Sequence, residues 1–241
     1  MSVSVIVPVL NEIDGLRWFV PEMEKYKAYY DEVIYVDGGS TDGSLEFLQG
    51  VGATVMVQQR NGLTAAMEEA FSLTTGDFII TMSPDGNCRP LDLEMIPNGL
   101  VPTRNSMGGD FGGYIFSRYH FRESADDDFL TRNGNKFFTW LVNLLFGEKY
   151  TDTLTIFRAY TRESIFKLSL NNISNKNWIR RKFKLLNSWE IASVCRAKRY
   201  SLFFQEISSY EPKRIGGKRK LCIPLHGTAA LIQIIIERIG V

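Results

Sequence analysis

"VSVIVPVLNEIDG", residues 3–15, decides the fold. Val3, Val5, Ile6 and Val7 form a short β-branched run with the length and composition of a buried strand. Pro8 then withdraws a backbone donor, and Asn11 and Glu12 bring polar groups in quick succession. From Glu12 to Tyr29 the pattern reads as a helix. The polar cluster therefore stands at a strand's carboxyl end, the edge at which open α/β sheets bind their ligands.

The same unit recurs downstream. "DEVIYVDG" (31–38), "ATVMVQQ" (53–59) and "DFIITMS" (77–83) read as strands separated by helical stretches, a βαβ series. Right-handed crossovers would build a Rossmann-like, mostly parallel sheet with helices on both faces. Each strand closes on polar or glycine-rich sequence: Asp37 with "GGSTDGS", Arg60 with "NGL", Ser83 with "PDGN". Four loops would then share one edge. Ser40 or Thr41, followed by Asp42 and Gly43, reads as a helix start whose free amides suit a phosphate or ribose, and equally as a plain capped turn. Neither GxGxxG nor GxxxxGK[ST] occurs, so a nucleotide would be held without those loops.

After residue 100 the order changes. "GGDFGGYIFSRYHF" (108–121) reads as a strand with a glycine-rich entry, and "ESADDDF" (123–129) as an exposed acidic loop. A helix over Phe129 to Phe146 carries Phe137, Phe138, Trp140, Leu141, Leu144 and Leu145 as an apolar stripe. Such a stripe fits a core, or a membrane interface. "RRKFK" (180–184) and "KRIGGKRK" (213–220) are basic clusters that raise nucleic acid as a partner, against which their surroundings argue. The tail "LHGTAALIQIIIERIGV" (225–241) is apolar but short and contains Gln233, Glu237 and Arg238, so it suits lying on a bilayer rather than crossing one.

The chain of 241 residues, 44% hydrophobic, is long enough for a sizeable core and is expected to form a single domain. Three cysteines, Cys88, Cys195 and Cys222, have no metal-like spacing and fit a reducing compartment, with the cytoplasm expected. No export leader and no run of about 20 apolar residues is visible. The net charge of +1 hides a division: residues 1–99 hold 5 Lys+Arg against 15 Asp+Glu, and residues 100–241 hold 23 against 12. Early acids suit a metal and sugar hydroxyls; late bases suit an anionic ligand or membrane surface.

Nine segments in register carry a family resemblance. They are "VIVPVLNE", "IYVDGGSTDGS", "RNGLTAAMEEAF", "GDFIITMSPDGNCRP", "GGYIFSRY", "RNGNKF", "YTDTLTIFRAYTRE", "SWEI" and "KRIGGKRKL". Together the chain resembles the family 2 inverting glycosyltransferases of the GT-A fold, most of all the dolichyl-phosphate mannose synthase-like, polyprenyl-phosphate branch. The resemblance implies a nucleotide-binding half (1–99) and an acceptor half (100–241) with acceptor-side, possibly membrane-associating, helices. It implies that Pro8, Asn11, Glu12, Asp37, Asp42, Gly62 and Ser83 line the nucleotide pocket. Asp85 matches the second acid of the family's Asp-X-Asp motif, and Asn87 a nearby oxygen donor, implying Mg²⁺ or Mn²⁺. Ser83 replaces the first acid of that motif, and Thr155 and Ile156 replace a small Ser-Gly pair.

Arg118, Arg132, Arg214 and Lys218 match positions near the donor diphosphate or acceptor phosphate, where guanidinium forks suit phosphate oxygens. The implied activity is transfer of one sugar, with inversion, from a UDP- or GDP-type nucleoside-diphosphate sugar to a polyprenyl phosphate at the cytoplasmic membrane face. Asp85, Arg118 and Arg132 would take catalytic parts. A glycan or lipopolysaccharide hydroxyl acceptor would instead need a carboxylate base, and Glu190 is the candidate in "NSWEIAS". The family's late Glu-Asp pair is absent there, which favours an acceptor that arrives already ionised. A nucleotide-sugar-binding module without turnover is the non-enzyme alternative.

Overall fold

The computed structural model describes residues 1–96, 109–121, 124–173, 188–216 and 223–240. Lys218, "RRKFK" and the end of "KRIGGKRK" lie outside these residues. Strand β1 (Val3–Val9) pairs in parallel with β2 (Glu32–Asp37) on one side and β4 (Phe78–Thr81) on the other, while β3 (Val55–Val57) extends the sheet beyond β2. The crossovers are helices α1 (Ile13–Glu24), α2 (Ser44–Gly50) and α3 (Leu63–Leu73). Strands β5 (Asp110–Ser117), β6 (Arg158–Thr161) and β7 (Leu202–Ser208) complete the order β3-β2-β1-β4-β6-β5-β7.

Strand β6 alone runs against its neighbours, antiparallel to both β4 and β5, and β7 pairs in parallel with β5. The reversal matters for the site. The other six strands bring their carboxyl ends to one edge, and β6 brings its amino end there, so the segment 151–157 before it joins the loops that follow the other strands.

Strand periodicity builds two apolar layers. Val5, Val7 and Val9 face Leu16, Phe19 and Met23 of α1 and Leu48 of α2. Ile6, Ile34 and Ile79 face the opposite layer, with Met67 and Phe71 of α3, Trp189 and Val194 of α6 (Trp189–Ala197), and Ile234 of α7 (Ile223–Ile239). A short helix, α5 (Arg162–Lys167), follows β6 and joins that second layer through Ile165.

Helix α4 (Phe129–Phe146) has the bounds its sequence predicts: Asp128 caps it by accepting from the Thr131 N–H, and Gly147 ends it at φ +68°. Its stripe divides. Phe138, Leu141 and Leu145 pack on the core, whereas Phe137, Trp140 and Leu144 remain exposed. Helix α7 packs against α6 and α4. Its polar residues have protein partners: Gln233 bonds the Ser188 backbone in both directions, and Glu237 forms a two-pronged pair with Arg196 at 2.7 and 2.9 Å.

Two expectations are corrected. The helix after β1 does not run from Glu12 to Tyr29; α1 ends at Glu24 and a separate 3₁₀ turn covers Lys27–Tyr29. The acidic segment is not an exposed loop over its described part, because Ser124 and Asp127 are buried and Asp126 is paired with Arg214. Asp126 is met by Arg214 from beyond β7, and Asp127 accepts from Tyr119 and Asn135 with Arg118 facing it at 3.9 Å.

Candidate active site

The loops after β1 and β2 are stitched together by side chains the sequence singled out. Asn11, at φ +51°, accepts from the Thr41 N–H (2.8 Å) and donates its own N–H to Ser40 Oγ. Asp42 accepts from the Ile13 N–H, at the start of α1, and from the Ser44 N–H and hydroxyl at the start of α2. One carboxylate thus serves two helix N-termini. Burial opposes its ionisation, but these bonds lower its pKa. Glu12 donates its N–H to Ser44 Oγ and is buried. Asp37 is fully buried and accepts from the N–H groups of Gly39 and Ser40, shaping the turn in which Gly39 takes φ +89°. Helix α2 starts at Ser44 with Gly43 before it, a few residues later than its sequence signals.

The loop after β4 enters beneath α1. A Cβ on Gly15 would lie 2.5 Å from the Pro84 carbonyl oxygen and 3.0 Å from Asp85 Cα, so glycine is what lets the first turn of α1 touch that backbone. From the other side the segment after β7 closes over the loop: the Ile215 N–H donates to the Asp85 carbonyl, Ile215 packs on Gly86, and Gly216 abuts Asp14. Asp85, Ser83 and Asn87 are held between them.

Arg214 is the centre of the charge arrangement. It donates to Asp126 Oδ2 from Nε (3.2 Å) and Nη2 (2.9 Å) and faces Asp85 Oδ2 at 3.5 Å. Burial alone would lower its pKa; the Asp126 bond and the charges of Asp85, Asp126 and Glu12 raise it instead. Asp126 also accepts from the Asn87 amide at 3.2 Å. Burial works against its ionisation, yet the Arg214 bonds and charge hold its pKa down at about 2.

Arg118, just past β5, is gripped through Nε and Nη2 by the fully buried Asp152, at 2.6 and 3.0 Å. Its Nη1 faces Glu211 Oε1 at 3.5 Å and Asp127 Oδ2 at 3.9 Å. Burial would lower the guanidinium pKa, but Asp152 and Glu211 push it well above its usual value. Arg118 lines a cavity of about 120 Å³ with Asn87, Ile156, Phe157 and Glu211.

The remaining expected residues lie around this centre or away from it. Gly62 caps α3 at φ +103°, Pro8 is half-buried in β1, and the Ser83 N–H points to Cys88 Sγ at 3.3 Å. Arg132, in the first turn of α4, reaches the Asp127 carbonyl at 3.4 Å. Glu190 does not line the cavity; it is buried at the start of α6, where its Oε2 accepts from the Ser188 hydroxyl at 2.5 Å, and burial raises its pKa.

Sequence reasoning missed Gly15, Asp126, Asp152 and Glu211. Gly15 left a signal, since glycine in a first helical turn runs against propensity. The three acids left none, because what distinguishes them is the arginine each one meets.

Residues 4–165 match glycosyl transferase family 2. The chain belongs to that family. Among its relatives, the glycosyltransferase AglJ of Haloferax volcanii is 26% identical over 176 residues, covering 71% of this chain and 54% of that protein. The undecaprenyl-phosphate 4-deoxy-4-formamido-L-arabinose transferase of Edwardsiella ictaluri is 28% identical over 180 residues, covering 70% and 51%. The chain spans about half the length of these curated relatives. Glucosyl-3-phosphoglycerate synthase of Mycobacterium tuberculosis, solved with Mn²⁺, UDP and phosphoglyceric acid, superposes with a TM-score of 0.66 at 18% identity, over all of this chain and 79% of its own. The fold is GT-A.

For a family 2 chain the donor set fits a hard divalent cation. Asn87 Oδ1 is buried with no hydrogen-bond partner, two residues from Asp85. Among the described residues no cluster of three or more His, Cys, Asp or Glu could hold a metal by itself. One or two protein oxygens with a diphosphate supplying the rest is the normal division for Mg²⁺ or Mn²⁺ bound with a nucleotide.

Proposed function

We propose that this chain transfers a sugar from a UDP- or GDP-type nucleoside-diphosphate sugar to a polyprenyl phosphate, with inversion at the anomeric carbon. The observation that carries the reading is the Asp85–Arg214–Asp126 arrangement beside the orphaned Asn87 oxygen, at the sheet edge where six strand ends and the loop before β6 meet. Asp85 and Asn87 would hold Mg²⁺ or Mn²⁺, which when bound supplies neutralising charge for the departing diphosphate. The loops joined by Asn11 and Asp42, with Pro8, Glu12, Asp37, Gly62 and Ser83, would form the nucleotide side.

Arg118, Arg132, Arg214 and Lys218 would serve the phosphates of donor and acceptor. Arg214 can exchange its carboxylate partners for phosphate oxygens without losing a counter-charge, while Arg118 keeps only Nη1 free of Asp152. A lipid phosphate arrives ionised and needs no base. A hydroxyl acceptor does, and Glu190, engaged by Ser188 away from the cavity lining, is poorly disposed to provide one, which favours the phosphate acceptor. The polyprenyl-phosphate relative supports the same choice.

No helix among the described residues is long and apolar enough to cross a membrane. Peripheral contact with the cytoplasmic membrane face would fall to the exposed Phe137, Trp140 and Leu144 of α4. Sedimentation with anionic liposomes checks this: Trp140→Ser should lower the bound fraction several-fold, and binding that is absent in the wild type removes the proposal.

Calorimetry with UDP, GDP and their sugar conjugates, with and without Mn²⁺, tests the function. One nucleotide series should bind in a Mn²⁺-dependent way that Asp85→Ala abolishes, and turnover should require a polyprenyl phosphate. Binding without turnover would leave a nucleotide-sugar-binding module; no binding at all would refute the donor site.

A further inference from the structure

A larger cavity lies at the far end of α4 from the donor site. Its volume of about 380 Å³ falls within the roughly 300–1,000 Å³ of small-molecule sites. Three helices bring their carboxyl ends to it: α4 through Leu145 and Phe146, α6 through the Lys198 and Arg199 that follow it, and α7 through Arg238. The turn at Lys198–Tyr200 leads into the amino end of β7, which pairs with the amino end of β5. The cavity therefore stands at the sheet edge opposite the donor site.

Its polar lining is cationic. Lys198 donates to the Phe146 carbonyl at 3.1 Å and Arg199 Nη2 to the Glu237 carbonyl at 2.6 Å, so each closes a helix end. An ammonium carries three donors and a guanidinium five, so one bond apiece leaves most of them for a ligand. Arg238, exposed in the last turn of α7, makes no hydrogen bond or ion pair among the described residues. The nearby acids are Glu237, held in its two-pronged pair by Arg196, and Glu148, whose pKa burial raises against the pull of Lys198.

The rim decides what kind of anion fits. A Cβ on Gly227 would meet the Phe138 ring at 3.7 Å, and Phe146 and Arg238 share the cavity, so α4 and α7 lie side by side and run the same way. Leu144 and Ile239, next in sequence to Leu145 and Arg238, are 62% and 63% exposed, and Trp140 and Ile235, one turn back on each helix, are exposed as well. Two apolar rows thus end at three cations. A soluble phosphate would use only the cations. A phospholipid would use both, with its phosphate in the cavity and its acyl chains against the rows, as helices lying in a bilayer interface do.

We propose that this cavity binds the headgroup phosphate of an anionic phospholipid, a membrane contact separate from the site of the acceptor. The proposal rests on the peripheral-contact reading of α4 and adds the lipid class and the residues that recognise it. Eighteen residues at about 1.5 Å each make α4 about 27 Å long, from Arg132 in its first turn to the cavity. Held at its carboxyl end by a headgroup, α4 would lie along the bilayer surface and keep Arg132 at the level of a lipid-borne acceptor phosphate.

Flotation of the full chain with phosphatidylcholine vesicles, with and without phosphatidylglycerol, tests this. The wild type should bind the phosphatidylglycerol vesicles more tightly. Arg238→Gln and Arg199→Gln should each weaken that binding about fivefold, the scale of one cation at an anionic surface, while Arg238→Lys keeps it. Arg17→Gln, which removes the same charge from an exposed position on α1 across the sheet, should change nothing. An equal loss in Arg17→Gln would make the effect one of net charge and overturn the proposal. So would calorimetric binding of glycerol 3-phosphate as tight as binding to vesicles, since the site would then read a soluble phosphate. If Arg199→Gln does not fold, Arg238→Gln, which removes no contact, decides. A wild type that ignores both kinds of vesicle takes down the membrane reading and this inference together; binding that depends on Trp140 but not on Arg238 or Arg199 sinks the inference alone.

Discussion

Replacing Gly15 with alanine sets two physical effects against each other. Gly15 is the third residue of α1, and in an unobstructed helix the exchange would stabilise by about 1 kcal/mol. Here the new methyl would stand 2.5 Å from the Pro84 carbonyl oxygen and 3.0 Å from Asp85 Cα. Both are backbone atoms of a loop clamped from the far side by the Ile215 to Asp85 bond, so they cannot swing aside as a side-chain tip would. An ordinary contact requires about 1 Å of separation to be opened, and overpacking of this kind costs about 1–3 kcal/mol. The clash should at least cancel the helix gain, leaving a net loss of up to about 2 kcal/mol, or a fall in Tm of up to about 8 °C for a chain of this size. Because Asp85 moves with the loop, Mn²⁺-dependent nucleotide binding should weaken as well. Gly134→Ala is the control: it lies within α4, and a Cβ there meets nothing within 4 Å, so Tm should rise by about 2–4 °C. Scanning calorimetry of both variants compares them directly. A rise in Tm for Gly15→Ala matching that of Gly134→Ala would show that α1 does not press on the Pro84–Asp85 backbone.

Two further outcomes follow from the paired charges. The folded pKa of Asp126 is depressed to about 2 from its ordinary value of 3.8, so its contribution is present in full above that ordinary value and is lost as pH falls toward 2. Discounted for solvent screening, that contribution is about 1–2 kcal/mol; urea midpoints between pH 5 and 2 should fall less steeply in Asp126→Asn, and an unchanged acid limb would contradict the Arg214 pairing. Arg118→Met strands the fully buried Asp152, a loss of about 3–5 kcal/mol by urea denaturation, and adding Asp152→Leu should recover part of it. No recovery in the double variant would mean that Arg118 contributes through packing rather than through this pair.

Much of the architecture is written locally. β-Branched apolar runs in "VSVIVPV" and its three successors specify strands, the polar residues at their ends specify an edge, and Asp128 and Gly147 bound α4 at the residues its pattern implies. The nine motifs carried the family, and the loops bearing Asn11, Asp42 and Asp85 do meet. Other features were decided only when distant segments came together. The reversed β6 lies between β4 and β5, bringing Asp152, Ile156 and Phe157 to the site edge. "ADDD" reads as a solvated loop until Arg214 reaches Asp126; Gln233 and Glu237 read as marks of exposure until Ser188 and Arg196 satisfy them. Periods of 2 and 3.6 residues tell each segment which face is apolar, because they depend only on near neighbours. Whether a polar side chain on the other face meets water or a buried partner is set by residues some 40 to 90 positions away, and that the sequence by itself does not contain in any local form.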